Sequence, residues 1–251
     1  SGQLTADAAR ALGLMQALPV VGGAGDNAAS AIGIGAVKTG DSFVSLGTSG
    51  VLFSVTDQHR PNVGEAVHAF CHALPGVWHQ MAVMLSAASS LTWVTRATGH
   101  ANEGELLAKV ATLSAAERDA APIFLPYLSG ERTPHNDATA SGVFLGLRHL
   151  HEAPHLAWSV IEGVSFGLRD GLDAMRRAGS RIDEVQLVGG GSRSQLWAQL
   201  LADALQVRVL IGEASNVGAA LGAARLAALG LGDLSAARIA EICRAPKNLH
   251  R

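Results

Sequence analysis

The chain has 251 residues, 48% hydrophobic and only 16% charged, which suits one large or two small packed domains and argues against disorder. A formal net charge of -2 with no Lys/Arg cluster argues against a nucleic-acid partner and for a small-molecule one. Cys71 and Cys243 lie far apart, and His68 and His72 near Cys71 lack the second Cys/His pair of a zinc site, so both cysteines read as reduced thiols.

In chain order, residues 5–13 predict a short helix capped by Thr5 and ending near Gly13. A strand at 19–21 then enters Gly22-Gly23-Ala24-Gly25-Asp26-Asn27, and residues 28–37 predict a small-residue helix in which Gly33 and Gly35 permit close backbone approach. Residues 42–56 read as two strands joined across Gly47-Thr48-Ser49-Gly50. A second hairpin is expected over 68–74 and 77–83, turning at Pro75-Gly76, followed by a helix over 84–98. Residues 66–95 contain no Asp, Glu, Lys or Arg, but His68, His72, Pro75, His79 and Gln80 interrupt them, so strand, turn and buried helix are expected rather than a membrane span. No basic and apolar leader pattern is visible, and the expected compartment is the cytoplasm, with no membrane partner.

Residues 101–120 read as two short surface helices, and 123–128 as a strand running into the loop Ser129-Gly130-Glu131-Arg132-Thr133-Pro134-His135-Asn136-Asp137. The strongest helical stripe covers 154–178, with Gly163, Gly167 and Gly171 at every fourth position clearing one face for a close neighbour. A strand over 184–188 enters Gly189-Gly190-Gly191-Ser192-Arg193-Ser194, and a helix over 195–206, a strand over 207–211 and a helix over 217–229 follow. This element order predicts an α/β fold, a mixed sheet with covering helices.

Three places could carry chemistry. Asp26, at a strand-to-helix junction, could simply cap the helix, and spacing alone favours that role. Equally, the helix N-terminus favours a carboxylate there, and a positioned acceptor suits phosphoryl transfer. The Gly47-Thr48-Ser49-Gly50 turn offers N–H groups and hydroxyls to a phosphate, although such turns often only close hairpins. Gly189, Gly190 and Gly191 after an apolar strand would let backbone approach a ligand. The pattern is not GxGxxG, and no Lys follows a glycine loop as in a Walker motif, so dinucleotide and P-loop readings are disfavoured. Glu131, Arg132, His135 and Asp137 are expected to form a surface or interdomain salt bridge, the histidines show no metal-ligand spacing, and Trp93, Trp158 and Trp197 read as core.

Taken in order, GGAGDNAASAIGIG (22–35), SLGTSG (45–50), LPYLSGERTPHND (125–137) and LVGGGSRS (187–194) resemble the FGGY family of carbohydrate kinases. So does the run from Gly142-Val143-Phe144-Leu145-Gly146-Leu147 through His155-Leu156 to Ser159-Val160-Ile161-Glu162-Gly163. The resemblance implies an actin-like ATPase (ribonuclease H-like) lobe and ATP-dependent phosphorylation of a sugar with Mg2+ accompanying the ATP. It implies Asp26 as the base, Asn27 beside the sugar, Gly47, Thr48 and Ser49 at the phosphates, and Gly189, Gly190, Gly191 and Ser194 at the adenosine. No residue is assigned to a metal. The SGERTPHND and MLSAASSLTW passages favour D-xylulose; another ketose or polyol, such as ribulose or glycerol, and a non-catalytic nucleotide-binding module are the alternatives. Family members are about twice this length. The resemblance therefore implies a fragment: residues 1–38 ending an N-terminal lobe that carries the catalytic Asp loop, 42–232 forming the C-terminal lobe, and 233–251 a shortened tail. The rest of the N-terminal lobe would be its main partner, with a second copy of the chain as another, and the fragment alone would be inactive.

Overall fold

The computed structural model describes residues 2–212, 218–232 and 234–245, and the backbone of 248–250. The first elements form a small annex: β1 (Gly2–Gln3), α1 (Ala6–Leu12) and β2 (Pro19–Val20), with β1 and β2 antiparallel. As expected, the Thr5 hydroxyl caps α1 by accepting from Ala8 N at 3.3 Å, and Gly13 ends it at φ 66°. Helix α2 (Asp26–Ile34) starts two residues earlier than its small-residue pattern implies and stops at Gly35, whose left-handed backbone at φ 79° ends the helix short of Val37.

The central sheet has seven strands in the order β11-β10-β9-β3-β4-β6-β5. Its members are β3 (Ser42–Leu46), β4 (Gly50–Thr56), β5 (His68–Cys71), β6 (Trp78–Met84), β9 (Glu184–Val188), β10 (Arg208–Gly212) and β11 (Asn248–His250). Strand β9 runs parallel to both β3 and β10, and the other pairings are antiparallel. Both hairpins read from the sequence form, in register Leu46↔Gly50 and His68↔Met81.

Alternation along the strands divides the core into two layers. Phe43, Val51, Phe53 and Val55 pack against Ala31 and Ile34 of α2 on one face. Val44, Leu46, Leu52, Ala82 and Met84 pack on the other against α6 (Ala153–Arg177) and its neighbours. These neighbours are α3 (Ala88–Ala97), α4 (Glu103–Ala111) and α7 (Gln195–Leu205), with α5 (Ala115–Asp119) short and peripheral. On the α2 side lie α8 (Gly218–Gly230) and α9 (Ala236–Ile242), sharing a cluster in which Ile32 meets Leu226, Leu229 and Cys243. Val217, expected as the first residue of α8, lies outside the described residues. Cys71 is exposed, Cys243 is buried, and both are free thiols.

Two expectations need correction. Helical spacing over 84–98 predicts Met84 at the start of a helix; it instead ends β6 opposite Gly50, because ladder pairing outweighs local helical spacing, and α3 begins at Ala88. The strand over 123–128 ends at Leu125 before Pro126, and a strand not foreseen, β8 (Val143–Leu145), pairs with this β7 (Ile123–Leu125). The every-fourth-residue glycines of α6 act as expected. A Cβ at Gly163 would lie 2.2 Å from Phe124 O, at Gly167 2.3 Å from Met84 Cε, and at Gly171 3.0 Å from Ala82 Cβ. No described helix is long and apolar enough to cross a membrane.

Candidate active site

Strands β3 and β9 lie side by side and parallel, pairing Ser45 with Val188, so the turns that follow them emerge together at one end of the sheet. Carboxyl ends of parallel strands are where α/β folds bind ligands. Close approach of the second turn to the end of β3 depends on glycine. Gly189 sits at φ 90° and ψ 179°, and a Cβ there would be 2.9 Å from Leu46 O and 3.0 Å from Leu46 C. A Cβ on Gly191 would stand 2.3 Å from Leu46 Cδ2.

The hairpin turn is held from outside. Ala88 N donates to Gly47 O at 2.8 Å, and Thr48 O accepts from Ala87 N at 3.0 Å, from Ser89 N at 3.3 Å and from Ser89 Oγ at 2.8 Å. These bonds serve the orphan amides at the start of α3 and turn the carbonyls of Gly47 and Thr48 toward protein. Gly47 N donates to Ser49 O at 3.2 Å. Thr48 and Ser49 are exposed, and among the described residues their N–H groups donate to no acceptor. The free donors are thus two amides and two hydroxyls, the set that suits a phosphate.

Beyond Gly189 the chain makes a 3-10 turn, Gly190–Arg193, in which Ser192 Oγ donates to Gly189 O at 2.7 Å. The Ser194 hydroxyl then caps α7, accepting from Trp197 N at 3.2 Å. Gly190, Gly191 and Ser194 line a cavity of about 660 Å³, walled by Leu91, Leu107 and Trp197 and by the pair Thr92 and Glu103. Thr92 Oγ1 donates to Glu103 Oε1 at 2.7 Å, and this bond, with a backbone one, holds the Glu103 carboxyl below its usual range. Mostly apolar walls with a few fixed polar groups suit a flat heteroaromatic ligand with polar edges. Other cavities, of about 460 and 440 Å³, lie between α7 and β10 and at the opposite end of β4, and neither is lined by a residue of the two turns. The α4 wall went unread in the sequence, since residues 101–120 look like polar surface; the signal was Leu106 and Val110, fully buried one turn apart.

Asp26 is the first residue of α2, and the N-cap is Gly25, so the carboxylate is not the cap that spacing alone favoured. It is exposed, with Oδ1 accepting from Asn27 N at 2.8 Å and Asn27 Nδ2 at 3.2 Å. Among the described residues no hydrogen bond joins Asp26 or Asn27 to either turn. The structure thus brings Gly47–Ser49 and Gly189–Ser194 to the same end of the sheet, and leaves exposed Asp26 and half-buried Asn27 with no hydrogen bond to either turn among the described residues.

The expected salt bridge in the 129–137 loop is not what forms around Glu131. That side chain is only 3% exposed and has no ion pair among the described residues. Its Oε1 accepts from Leu85 N at 2.9 Å and from Arg132 N at 2.7 Å, while burial pushes the carboxyl above its usual range against those two bonds. Arg132 and His135 are exposed, and Asp137 Oδ1 accepts from Thr139 N and Oγ1 at 2.8 and 2.7 Å, a local turn that lowers its pKa.

Residues 42–231 match the C-terminal domain of the FGGY family of carbohydrate kinases. The chain is 49% identical over 228 residues to the xylulose kinase of Escherichia coli (strain K12), covering 90% of this chain and 46% of that protein. It is 47% identical to that of Klebsiella pneumoniae over 234 residues, 93% of this chain and 47% of that one. The crystal structure of a xyloylose kinase from Brucella ovis superposes with a TM-score of 0.88 at 46% identity, covering all of this chain and 50% of that one. A xylulose kinase from Rhodospirillum rubrum gives 0.80 at 29% identity, over 99% of this chain and 50% of that one. The chain spans about half the length of the curated relatives it matches. Its mixed sheet flanked by helices is the lobe of an actin-like ATPase. The paired turns, the cavity beside them and these likenesses agree, and the chain belongs to the FGGY family of carbohydrate kinases.

Proposed function

We propose that the intact protein transfers the terminal phosphoryl group of ATP to D-xylulose, giving D-xylulose 5-phosphate. The observation that carries this reading is the pair of glycine turns at the same end of the sheet, the second packed on Leu46 just before the first, beside a 660 Å³ cavity, with free donors on one turn and apolar walls behind the other. Gly189, Gly190, Gly191 and Ser194 would line the adenosine, and Gly47, Thr48 and Ser49 would face the phosphates. Mg2+ enters with the ATP as part of that substrate and neutralises phosphate charge. Asp26, uncommitted to capping, would accept the proton of the attacking hydroxyl as the bond to phosphorus forms, and Asn27 would lie beside the sugar.

In this reading residues 1–38 close an N-terminal lobe that carries the catalytic Asp loop, 42–232 are the nucleotide-binding lobe, and 233–251 a tail. The remainder of the N-terminal lobe is the partner that completes the sugar site, and a second copy of the chain is a further candidate partner. Consumption of ATP fits a cytoplasmic location. D-xylulose is favoured over other sugars because the relatives above carry that substrate in their names. Turnover of D-xylulose, L-ribulose and glycerol by the full-length protein tests the reading: kcat/KM should be highest for D-xylulose, and equal or better values for either of the others would overturn the choice of sugar.

A further inference from the structure

We infer that Glu131 is a positioning residue for the phosphate-facing turn, acting through the backbone of the β6–α3 junction; the functional half of this inference rests on the kinase reading above. Glu131 belongs to none of the glycine turns and touches no proposed substrate position. It is nonetheless 97% shielded, and its Oε1 is the acceptor for Leu85 N, the first amide beyond the end of β6. Met84, just before it, pairs with Gly50, the last residue of the turn. Two residues later, Ala87, Ala88 and Ser89 supply the amides and the hydroxyl that hold the carbonyls of Gly47 and Thr48. One carboxylate oxygen therefore fixes the strand end from which the turn's support is built.

The loop that carries Glu131 is itself strapped down. Thr133 N donates to Val83 O at 3.0 Å, Thr133 Oγ1 accepts from Val83 N at 3.0 Å, and the same hydroxyl donates to Ala66 O at 2.9 Å. These bonds tie the loop to β6 and to residue 66, apart from the carboxylate's own bonds to Leu85 N and Arg132 N. Among the described residues Glu131 Oε2 is buried with no hydrogen-bond partner, so a carboxylate is kept there at a desolvation cost for the sake of one well-placed oxygen. A core position of the same size filled by an apolar residue would avoid that cost and would leave Leu85 N without an acceptor.

Geometry and charge are separable by two variants of the full-length protein. Glu131→Gln keeps an oxygen at the Oε1 position and removes the charge; Glu131→Asp keeps the charge and draws the oxygen back by one methylene. If position is what matters, Glu131→Asp should lower kcat by about tenfold to a hundredfold with KM for ATP changed by less than about threefold, and Glu131→Gln should stay within about threefold of wild type. Amide hydrogen exchange over residues 85–89 should quicken in Glu131→Asp and remain near wild type in Glu131→Gln. Thr133→Val serves as the control for general loosening of the loop: it should lower stability with little change in kcat. Unchanged exchange in Glu131→Asp overturns the inference, as does an equal fall of kcat in Glu131→Asp and Thr133→Val, or a larger fall in Glu131→Gln. Quickened exchange with unchanged kcat would overturn the phosphate role of the turn, leaving the anchoring intact and separating the two failures.

Discussion

Asp26 shows how one residue's role depends on the neighbour that takes the other job. Because Gly25 is the N-cap, the carboxylate accepts only from Asn27 among the described residues and stays open to solvent. Replacing it in the full-length protein by Asp26→Ala should lower phosphorylation by about 10²–10⁴-fold while ATP affinity, measured by calorimetry, stays near wild type. A variant that still turns over at wild-type rate would remove Asp26 from the chemistry. A second prediction concerns His72 and His79, which stack with or edge against Phe53 at ring separations of 6.1 and 4.4 Å and are 6% and 4% exposed. Burial pulls both pKa values down to about 4, so the folded state holds the rings neutral. Their contribution is complete above the unfolded pKa near 6.5 and is lost as pH falls toward 4, because only the unfolded chain takes up protons in that window. Denaturant titrations should show about 2 kcal/mol less stability per histidine at pH 5 than at pH 7. Equal midpoints at the two pH values would mean that the rings titrate normally.

Elements meet here at backbone distance. A Cβ on Gly33 would stand 1.8 Å from Gly218 O, and one on Gly222 1.8 Å from Ala29 O, so α2 and α8 touch main chain to main chain. Arg225 of α8 then donates from Nη1 to Ile32 O and Gly33 O at 2.9 and 2.8 Å, serving the last carbonyls of α2. Gly222→Ala should therefore destabilise the fold by about 1–3 kcal/mol or more in chemical denaturation, despite the higher helix propensity of alanine. A neutral or stabilising result would show that the two helices can separate without cost. The glycine spacing of α6 and α2 was legible in the sequence as a demand for close neighbours, but the neighbours were not. A glycine states how near something comes, and only the chain path states what comes near. For the same reason β8 has no signature in the sequence: three residues carry too little alternation to be read alone, and Val143–Leu145 acquires strand geometry by pairing with Ile123–Leu125.

At the scale of the molecule, the chain carries a cavity of about 660 Å³ and a turn with free N–H and O–H donors, and an acid that forms no hydrogen bond to either among the described residues. The relatives are about twice as long, so in the proposed kinase reading the sugar's surroundings come mainly from the part of the fold that this chain does not match. This chain alone should show no measurable phosphorylation of D-xylulose in a coupled assay, and the full-length protein should. Turnover by the isolated chain would instead mean that the site is complete within it.

The sequence by itself determined the α/β element order, both hairpins, the glycine turns and, through five ordered motifs, the family. These are properties of local spacing, in which a turn, a cap or a glycine face must be written in neighbouring residues. Tertiary structure alone decided that Gly189 and Gly191 pack on Leu46 at the entrance to the Gly47–Ser49 turn, that α4 walls the cavity, and that Glu131 is buried on Leu85 N rather than paired with a cation. Each of those contacts joins residues tens of positions apart or more. What favours them is parallel strand pairing and the need to satisfy buried donors, neither of which leaves a mark within a short window of sequence.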